Sequence, residues 1–174
     1  FTSAEVHTPT CLFTPAERRA EIVEVARRCD LQILEDDCYR IGPSQAPAYR
    51  MLAPERGWYV ASLSKSVTPA LRVGFALAPE EQSMALRRAA ESSFFGLATP
   101  ISDLVAALLS HPGLDELMDK VRRQSGDYIQ AALNVLGGHD VKWRQDVPFL
   151  WLTLPPGWRT SAFCQAAAKQ GVQV

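Results

Sequence analysis

The sequence has little of what marks a membrane protein or a nucleic-acid-binding protein. No apolar run approaches the roughly 20 residues that span a bilayer, and no signal peptide is visible. The net charge at pH 7 is only −1 over 174 residues, which gives no electrostatic reason for this segment to contact nucleic acid or an anionic membrane. We therefore expect a cytoplasmic protein in which this segment itself binds neither a membrane nor nucleic acid.

Cysteine and histidine are also scarce. No C-x-x-C pair occurs among the widely spaced Cys11, Cys29, Cys38 and Cys164. A domain of this size needs no disulfide, so we expect reduced thiols that pack as small hydrophobic residues. His7, His111 and His139 lie too far apart for metal-ligand spacing, and we expect no metal site.

Alternating helix and strand patterns predict an α/β fold in the first half of the chain. Thr14-Pro15-Ala16-Glu17 is typical of a helix start with a threonine N-cap, and Arg18 and Arg19 fall among the polar positions of that helix. Apolar runs predict strands at Leu31–Leu34, Trp58–Ser62 and Val73–Ala78. Only about ten residues separate the second and third strands, too few for a crossover helix, so the third should be antiparallel or at the sheet edge.

The second half of the chain is predicted to be helical and then to change character. Helices are expected near 80–93, 100–110 and 114–136, followed by a β-hairpin and a helix capped by Thr160. We expect two domains, at 1–110 and 111–174. Three tryptophans are expected in the core of the smaller one: Trp143, Trp151 and Trp158.

Ser62-Leu63-Ser64-Lys65, followed by Arg72, is the stretch that carries most chemistry. A lysine held between strand ends can attack a carbonyl as a neutral amine, and hydroxyls with a guanidinium are suited to holding a phosphate. An amine beside a phosphate site indicates pyridoxal phosphate (PLP). A solvated loop lysine is the alternative.

Asp36 and Tyr39 form a second candidate group. Asp36 stands at the carboxyl end of a predicted buried strand, where open α/β sheets place ligand contacts. PLP needs a carboxylate at its pyridine nitrogen, although Asp36 could instead cap a following helix. Tyr39 could donate to the ring oxygen of the cofactor or could simply cover the sheet.

These motifs and their spacing resemble the PLP-dependent class I/II aminotransferases of fold type I, nearest to the subgroup of aminoadipate-type enzymes and the aminotransferase-like domains of MocR/GntR regulators. The resemblance implies that Lys65 bonds the cofactor and shuttles a proton, that Asp36 pairs with the pyridine nitrogen and that Tyr39 bonds the ring oxygen. It assigns the phosphate to Ser62, Ser64 and Arg72.

The resemblance also implies a partial fold: the second part of the large domain, with a mixed, mostly parallel sheet flanked by helices, and the start of an α+β small domain. The phosphate loop and the substrate-binding arginine of the family would lie outside this chain. A homodimer is implied, with the 93–97 loop either at the dimer contact or packed within the monomer.

One motif departs from the family. Where the family has Asn-Pro-Thr-Gly, this chain has Thr8-Pro9-Thr10-Cys11. Thr8 takes the position of an asparagine that contacts the cofactor and is too short to span the same distance. Cys11 in place of glycine suggests a different turn shape.

Two functions follow from the resemblance. The first is the effector domain of a MocR/GntR-type transcription regulator, which senses PLP or an amino acid and reaches DNA through another domain. The second is a fragment of an aminotransferase that exchanges an amino group between an amino acid and a 2-oxo acid. The altered Thr8 position favours the first, and we expect this segment alone to have little activity.

Overall fold

The computed structural model describes residues 1–94 and 96–174. Phe95, in the 93–97 loop considered above as a dimer contact, lies outside the described residues. The helices are α1 Ala16–Arg28, α2 Tyr49–Leu52, α3 Leu63–Ser66, α4 Ser83–Ser93, α5 Thr99–Leu109, α6 Leu114–Leu136 and α7 Thr160–Lys169. The strands are β1 Ile33–Asp36, β2 Gly57–Ser62, β3 Gly74–Leu77, β4 Val141–Lys142 and β5 Trp151–Leu152. Short 3₁₀ turns occupy Pro69–Leu71 and Glu80–Gln82.

The larger sheet has the order β1-β2-β3. β1 and β2 are parallel, with Asp36 opposite Val60, and β3 runs antiparallel to β2, with Ser62 opposite Gly74. The third strand is therefore both antiparallel and at the sheet edge, which confirms the argument from the short connection. The first strand starts two residues later than predicted, because its pairing with β2 begins at Ile33.

The start of α1 differs from the prediction. Pro15 is the N-cap residue, and no side chain caps the helix. The backbone of Thr14 is used elsewhere: its amide donates to the Ala4 carbonyl at 2.8 Å, and its carbonyl accepts from Arg19 Nε at 2.8 Å. The expected threonine cap is wrong: Thr14 lies before the N-cap residue, bonded to the first segment through Ala4 and to the Arg19 side chain of α1.

Arg19 is the centre of a buried ionic cluster, whereas the helical pattern placed it among the exposed polar positions. Its side chain is 1% exposed. One guanidinium nitrogen donates to Glu5 Oε2 at 2.6 Å, and the other donates to Glu35 Oε1 at 3.2 Å. Because charges removed from water must be compensated, this cluster requires α1, β1 and the segment around Glu5 to fold together.

Backbone amides complete the cluster on its carboxylate side. Glu5 Oε1 accepts from the Gln45 amide at 2.6 Å, and Glu35 Oε2 accepts from the Tyr49 amide at 2.7 Å. Burial raises the pKa of Glu35, and the Tyr49 amide and the Arg19 charge oppose that effect. The loop after β1 is therefore fixed to the same cluster that holds α1.

The C-terminal part contacts the first half of the chain at two places. The beginning of α6 and the middle of α5 pack against Leu63, Val67 and Val73, directly beneath α3. Val147 is fully buried against Val6 and Cys11. The paired strands β4 and β5 are only two residues long.

The expectation that three tryptophans form a core is wrong. Trp143, Trp151 and Trp158 are 46%, 38% and 57% exposed. A two-residue ladder with one helix offers too little surface to enclose such large rings. No helix in the described part of the chain combines the length and the apolar character needed to cross a membrane.

Replacing Arg19 by Met should reduce the free energy of unfolding by about 3–5 kcal/mol, because it leaves two buried carboxylates without their cation. The measurement is urea-induced unfolding monitored by circular dichroism. Arg18→Met is the matched control, since Arg18 is exposed and, within the part of the chain that the structure describes, forms an ion pair with Glu21 alone, and we expect a change within about 0.5 kcal/mol. Equal losses in the two variants would contradict the structural role of the cluster.

Candidate functional site

Asp36 lies at the carboxyl end of β1 and shares a sheet face with Ser62. In the register of β1 and β2, Asp36 is opposite Val60, and Ser62 is two residues further along β2. Because alternate residues of a strand project to the same face, both side chains project to one side of the sheet. Asp36 Oδ1 accepts a hydrogen bond from the Cys38 amide at 3.0 Å, so a local turn holds the carboxylate in place.

Tyr39 and Lys65 are in contact. Lys65 Nζ lies 5.6 Å from the centroid of the Tyr39 ring, within the range in which a cation is attracted to an aromatic face. Lys65 lies on α3, whose first turn directly follows β2, and its side chain is exposed. The structure thus brings the lysine of one motif to the tyrosine of the other, which lies after β1.

Ser62, Ser64 and Arg72 surround the turn that joins β2 to β3. Ser62 Oγ accepts from the Ser64 amide at 3.1 Å and donates to the Val73 carbonyl at 3.3 Å. Arg72 is exposed and adopts a left-handed conformation with φ 51°. Among the described residues, neither the Arg72 guanidinium nor the Lys65 ammonium has a carboxylate within 4.0 Å.

A second ionic cluster lies behind Asp36, and the sequence reasoning missed it. Asp37 Oδ2 accepts from Arg40 Nε at 2.6 Å and from the Tyr59 hydroxyl. Burial and the hydrogen bond to Asp37 raise the pKa of Tyr59 to about 12. Burial lowers the pKa of Arg40, but the hydrogen bonds to Asp37 and Tyr59 outweigh burial, so the pKa of Arg40 is raised overall.

This second cluster fixes the loop that carries Asp36 and Tyr39. The Asp37 amide donates to the Val60 carbonyl at 2.8 Å, which extends the strand pairing by one residue. Arg40 also donates to the Gly42 carbonyl at 2.9 Å. The signal available in the sequence was the adjacent pair of acids followed by an arginine, since a buried second acid needs such a partner.

The turn at Thr8–Cys11 lies beside Tyr39. Cys11 is buried in a cluster with Val6 and Val147, against which Tyr39 also packs. Its φ is 59°, the left-handed region that favours glycine, so the chain keeps a glycine-like conformation there with a cysteine. Thr8 is exposed, and no contact joins its side chain to the other candidate residues in the described structure.

The residues brought together fit a phosphorylated aldehyde with an aromatic ring. An exposed amine lies over a phenol, a carboxylate and a hydroxyl share one face of the sheet, and a second hydroxyl and an exposed guanidinium lie in the connection between β2 and β3. A carboxylate and a phenol suit the nitrogen and oxygen of a pyridine ring, and the guanidinium with hydroxyls suits phosphate. For Thr8 and Arg72, no hydrogen bond or ion pair with the other predicted site residues is seen among the described residues.

Comparison with known proteins identifies the family. The model of the family described as aminotransferase class I and II matches residues 3–174. The HTH-type transcriptional regulator YdeF of Bacillus subtilis is 26% identical over 98% of this chain and 37% of its own length. The 2-aminoadipate transaminase of Thermus thermophilus is 29% identical over 94% of this chain and 44% of its own length.

Solved structures give the same result. LysN, an α-aminoadipate aminotransferase from Thermus thermophilus solved with N-(5'-phosphopyridoxyl)-L-leucine, superposes with a TM-score of 0.81 and 26% identity. The superposition covers 98% of this chain and 46% of LysN. The fold is therefore that of a partial aminotransferase large domain, and the chain spans less than half the length of these relatives.

Replacing Asp36 by Asn should speed alkylation of Cys38. Burial, a hydrogen bond with Asp36 and the charges of Asp36 and Asp37 raise the pKa of the Cys38 thiol to about 12, so little thiolate exists at pH 8. Asparagine keeps the acceptor for the Cys38 amide but removes the charge, and we expect alkylation about threefold to tenfold faster.

The measurement is iodoacetamide labelling at pH 8 with mass mapping, with exposed Cys29 as the internal reference. Glu17→Gln removes an exposed carboxylate of α1 and should leave the Cys38 rate unchanged. A Cys38 rate that does not respond to Asp36→Asn would show that the two side chains are not adjacent.

Proposed function

This chain belongs to the aminotransferase class I and II family, and on that premise we propose that it is the ligand-sensing domain of a MocR/GntR-type transcription regulator. Four regulators of the HTH type are among its relatives, including YdeF and two others of Bacillus subtilis that match the whole chain. In such a protein DNA would be bound by a domain outside this segment. The observation that carries the site proposal is the Lys65–Tyr39 contact.

Pyridoxal phosphate is the cofactor that the family match and the phosphopyridoxyl-bound neighbour support. When bound, it supplies an electron-withdrawing ring that stabilises negative charge on the carbon next to a substrate nitrogen. We assign its aldehyde to the Lys65 amine, its pyridine nitrogen to Asp36 and its ring oxygen to Tyr39. Its phosphate is assigned to Ser62, Ser64 and Arg72.

We propose a role for each residue from its position in the chain. Asp36, held by the Cys38 amide, would keep the ring nitrogen protonated. Lys65 would accept and return a proton above the face of the Tyr39 ring, where a cation is stabilised. Thr8 would lie at the substrate side, where its short side chain would recognise a carboxylate weakly.

The remaining assignments are also proposals. We propose a boundary between the large-domain part, 1–110, and the small-domain part, 111–174. The beginning of α6 packs under α3, so the second part would be anchored beneath the lysine. We propose an amino acid or a 2-oxo acid as the ligand, a homodimer as the assembly and the cytoplasm as the location.

The lysine assignment is tested by reducing the full-length protein with borohydride in the presence of PLP, which makes the lysine–cofactor linkage permanent. Mass mapping should find the label on the peptide that contains Lys65, because this amine lies over the Tyr39 ring. Lys65→Arg should abolish the label, and Lys142→Arg, an exposed lysine of β4, should leave it intact. A label on another lysine would refute the assignment.

The alternative function, a fragment of an aminotransferase, is favoured by the 29% identity to 2-aminoadipate transaminase. The two functions differ in whether a 2-oxo acid is released. For the regulator we expect the full-length protein with PLP and a panel of amino acids to change its absorption spectrum without releasing 2-oxo acid. Catalytic release of a 2-oxo acid, measured with a coupled dehydrogenase, would instead establish the enzyme.

A further inference from the structure

The Tyr39 ring is contacted by two side chains from distant parts of the chain. Lys65 Nζ lies 5.6 Å from the ring centroid. The Phe149 ring meets it edge-on, with centroids 5.5 Å apart and an interplanar angle of 87°. Edge-to-face pairs of this kind prefer a defined mutual orientation, so Phe149 restricts the angle that the Tyr39 ring presents to the amine.

Phe149 is itself held in place by the first segment of the chain. It packs against the cluster of Val6, Cys11 and Val147, and its carbonyl oxygen lies 3.8 Å from Cys11 Sγ. The segment before it is also attached there, because Arg144 donates to the Glu5 carbonyl at 2.6 Å. The orientation of Phe149 is therefore set by contacts that do not involve Lys65.

We propose that Phe149 is a positioning residue for the Lys65 amine, acting through Tyr39, an inference that rests on the proposed function of Lys65. The edge-to-face pairing with Phe149 holds the Tyr39 ring with its face toward the ammonium. The C-terminal segment that carries Phe149 thereby influences how readily the amine reacts with a carbonyl.

A second aromatic pair allows the positioning role of Phe149 to be distinguished from a merely structural role. Trp158 and Phe163 form a comparable edge-on pair in the same part of the chain, with centroids 6.2 Å apart and an interplanar angle of 75°. That pair has no contact with Tyr39 among the described residues. Phe163→Leu is therefore a matched control for Phe149→Leu, since both substitutions remove one ring from an aromatic pair.

The experiment measures the rate of acylation of the Lys65 amine in the cofactor-free, full-length protein, with an N-hydroxysuccinimide ester and mass mapping. In Phe149→Leu the ammonium loses an oriented aromatic face, and we expect acylation about threefold faster. Phe149→Tyr keeps the ring edge and should retain the parent rate. Phe163→Leu should also retain it.

A double-variant comparison shows whether the effect passes through Tyr39. In a Tyr39→Leu background, Phe149→Leu should produce no further change in the rate, because the group through which it acts is gone. An unchanged or slower rate in Phe149→Leu, or the same acceleration in both backgrounds, would overturn the proposal. If Phe149→Leu does not fold, Phe149→Met takes its place and should show the same acceleration.

The outcome is independent of whether PLP bonds to Lys65. Acylation is read without the cofactor, so the coupling between Phe149 and the amine can be present while borohydride labels another lysine. That result would refute the function of Lys65 and leave the positioning relation intact. Labelling at Lys65 with no effect of Phe149→Leu on acylation would support the function of Lys65 and refute the positioning role of Phe149.

Discussion

The buried Arg19 guanidinium is the interaction on which the rest of the structure depends. It joins α1 to Glu5 and to Glu35 of β1, and through the Tyr49 amide it also fixes the loop after β1. Removing one charged side chain of such a cluster leaves the others in the low-dielectric interior without a compensating charge. The cluster thus specifies which segments meet, and Asp36 is the next residue along the strand from Glu35.

The position of Glu35 in this cluster determines which way the neighbouring residues of the candidate site project. Glu35 projects to one face of β1, so Asp36 projects to the other. Asp37 returns to the first face, where it meets Arg40 and Tyr59. Alternation along three consecutive acids therefore produces one structural carboxylate, one free for the site and a second structural carboxylate. Tyr39 then faces Lys65 because the loop between Asp37 and Gly42 is held from behind.

The sequence was sufficient for most of the elements, and it supplied the candidate site residues, because both depend on local patterns. The antiparallel third strand followed from the length of a connection, and the lysine and acid motifs followed from residue types and spacing. The sequence was insufficient to predict that Arg19 is buried and that the three tryptophans are exposed. A helical pattern marks arginine as polar whether or not distant carboxylates bury it, and apolar composition does not say whether enough neighbours exist to cover Trp151. The pairing of Phe149 with Tyr39 was likewise beyond local patterns, since more than a hundred residues separate the two rings in sequence.

The central claim is that the Lys65 amine is placed to hold PLP, with Asp36 at the far end of the ring. The most direct measurement is a crystal structure of the full-length protein grown with PLP. The account predicts continuous density from Lys65 Nζ to the cofactor and a hydrogen bond from its ring nitrogen to Asp36. Density on a different lysine, or a cofactor ring whose nitrogen has no contact with Asp36, would contradict it.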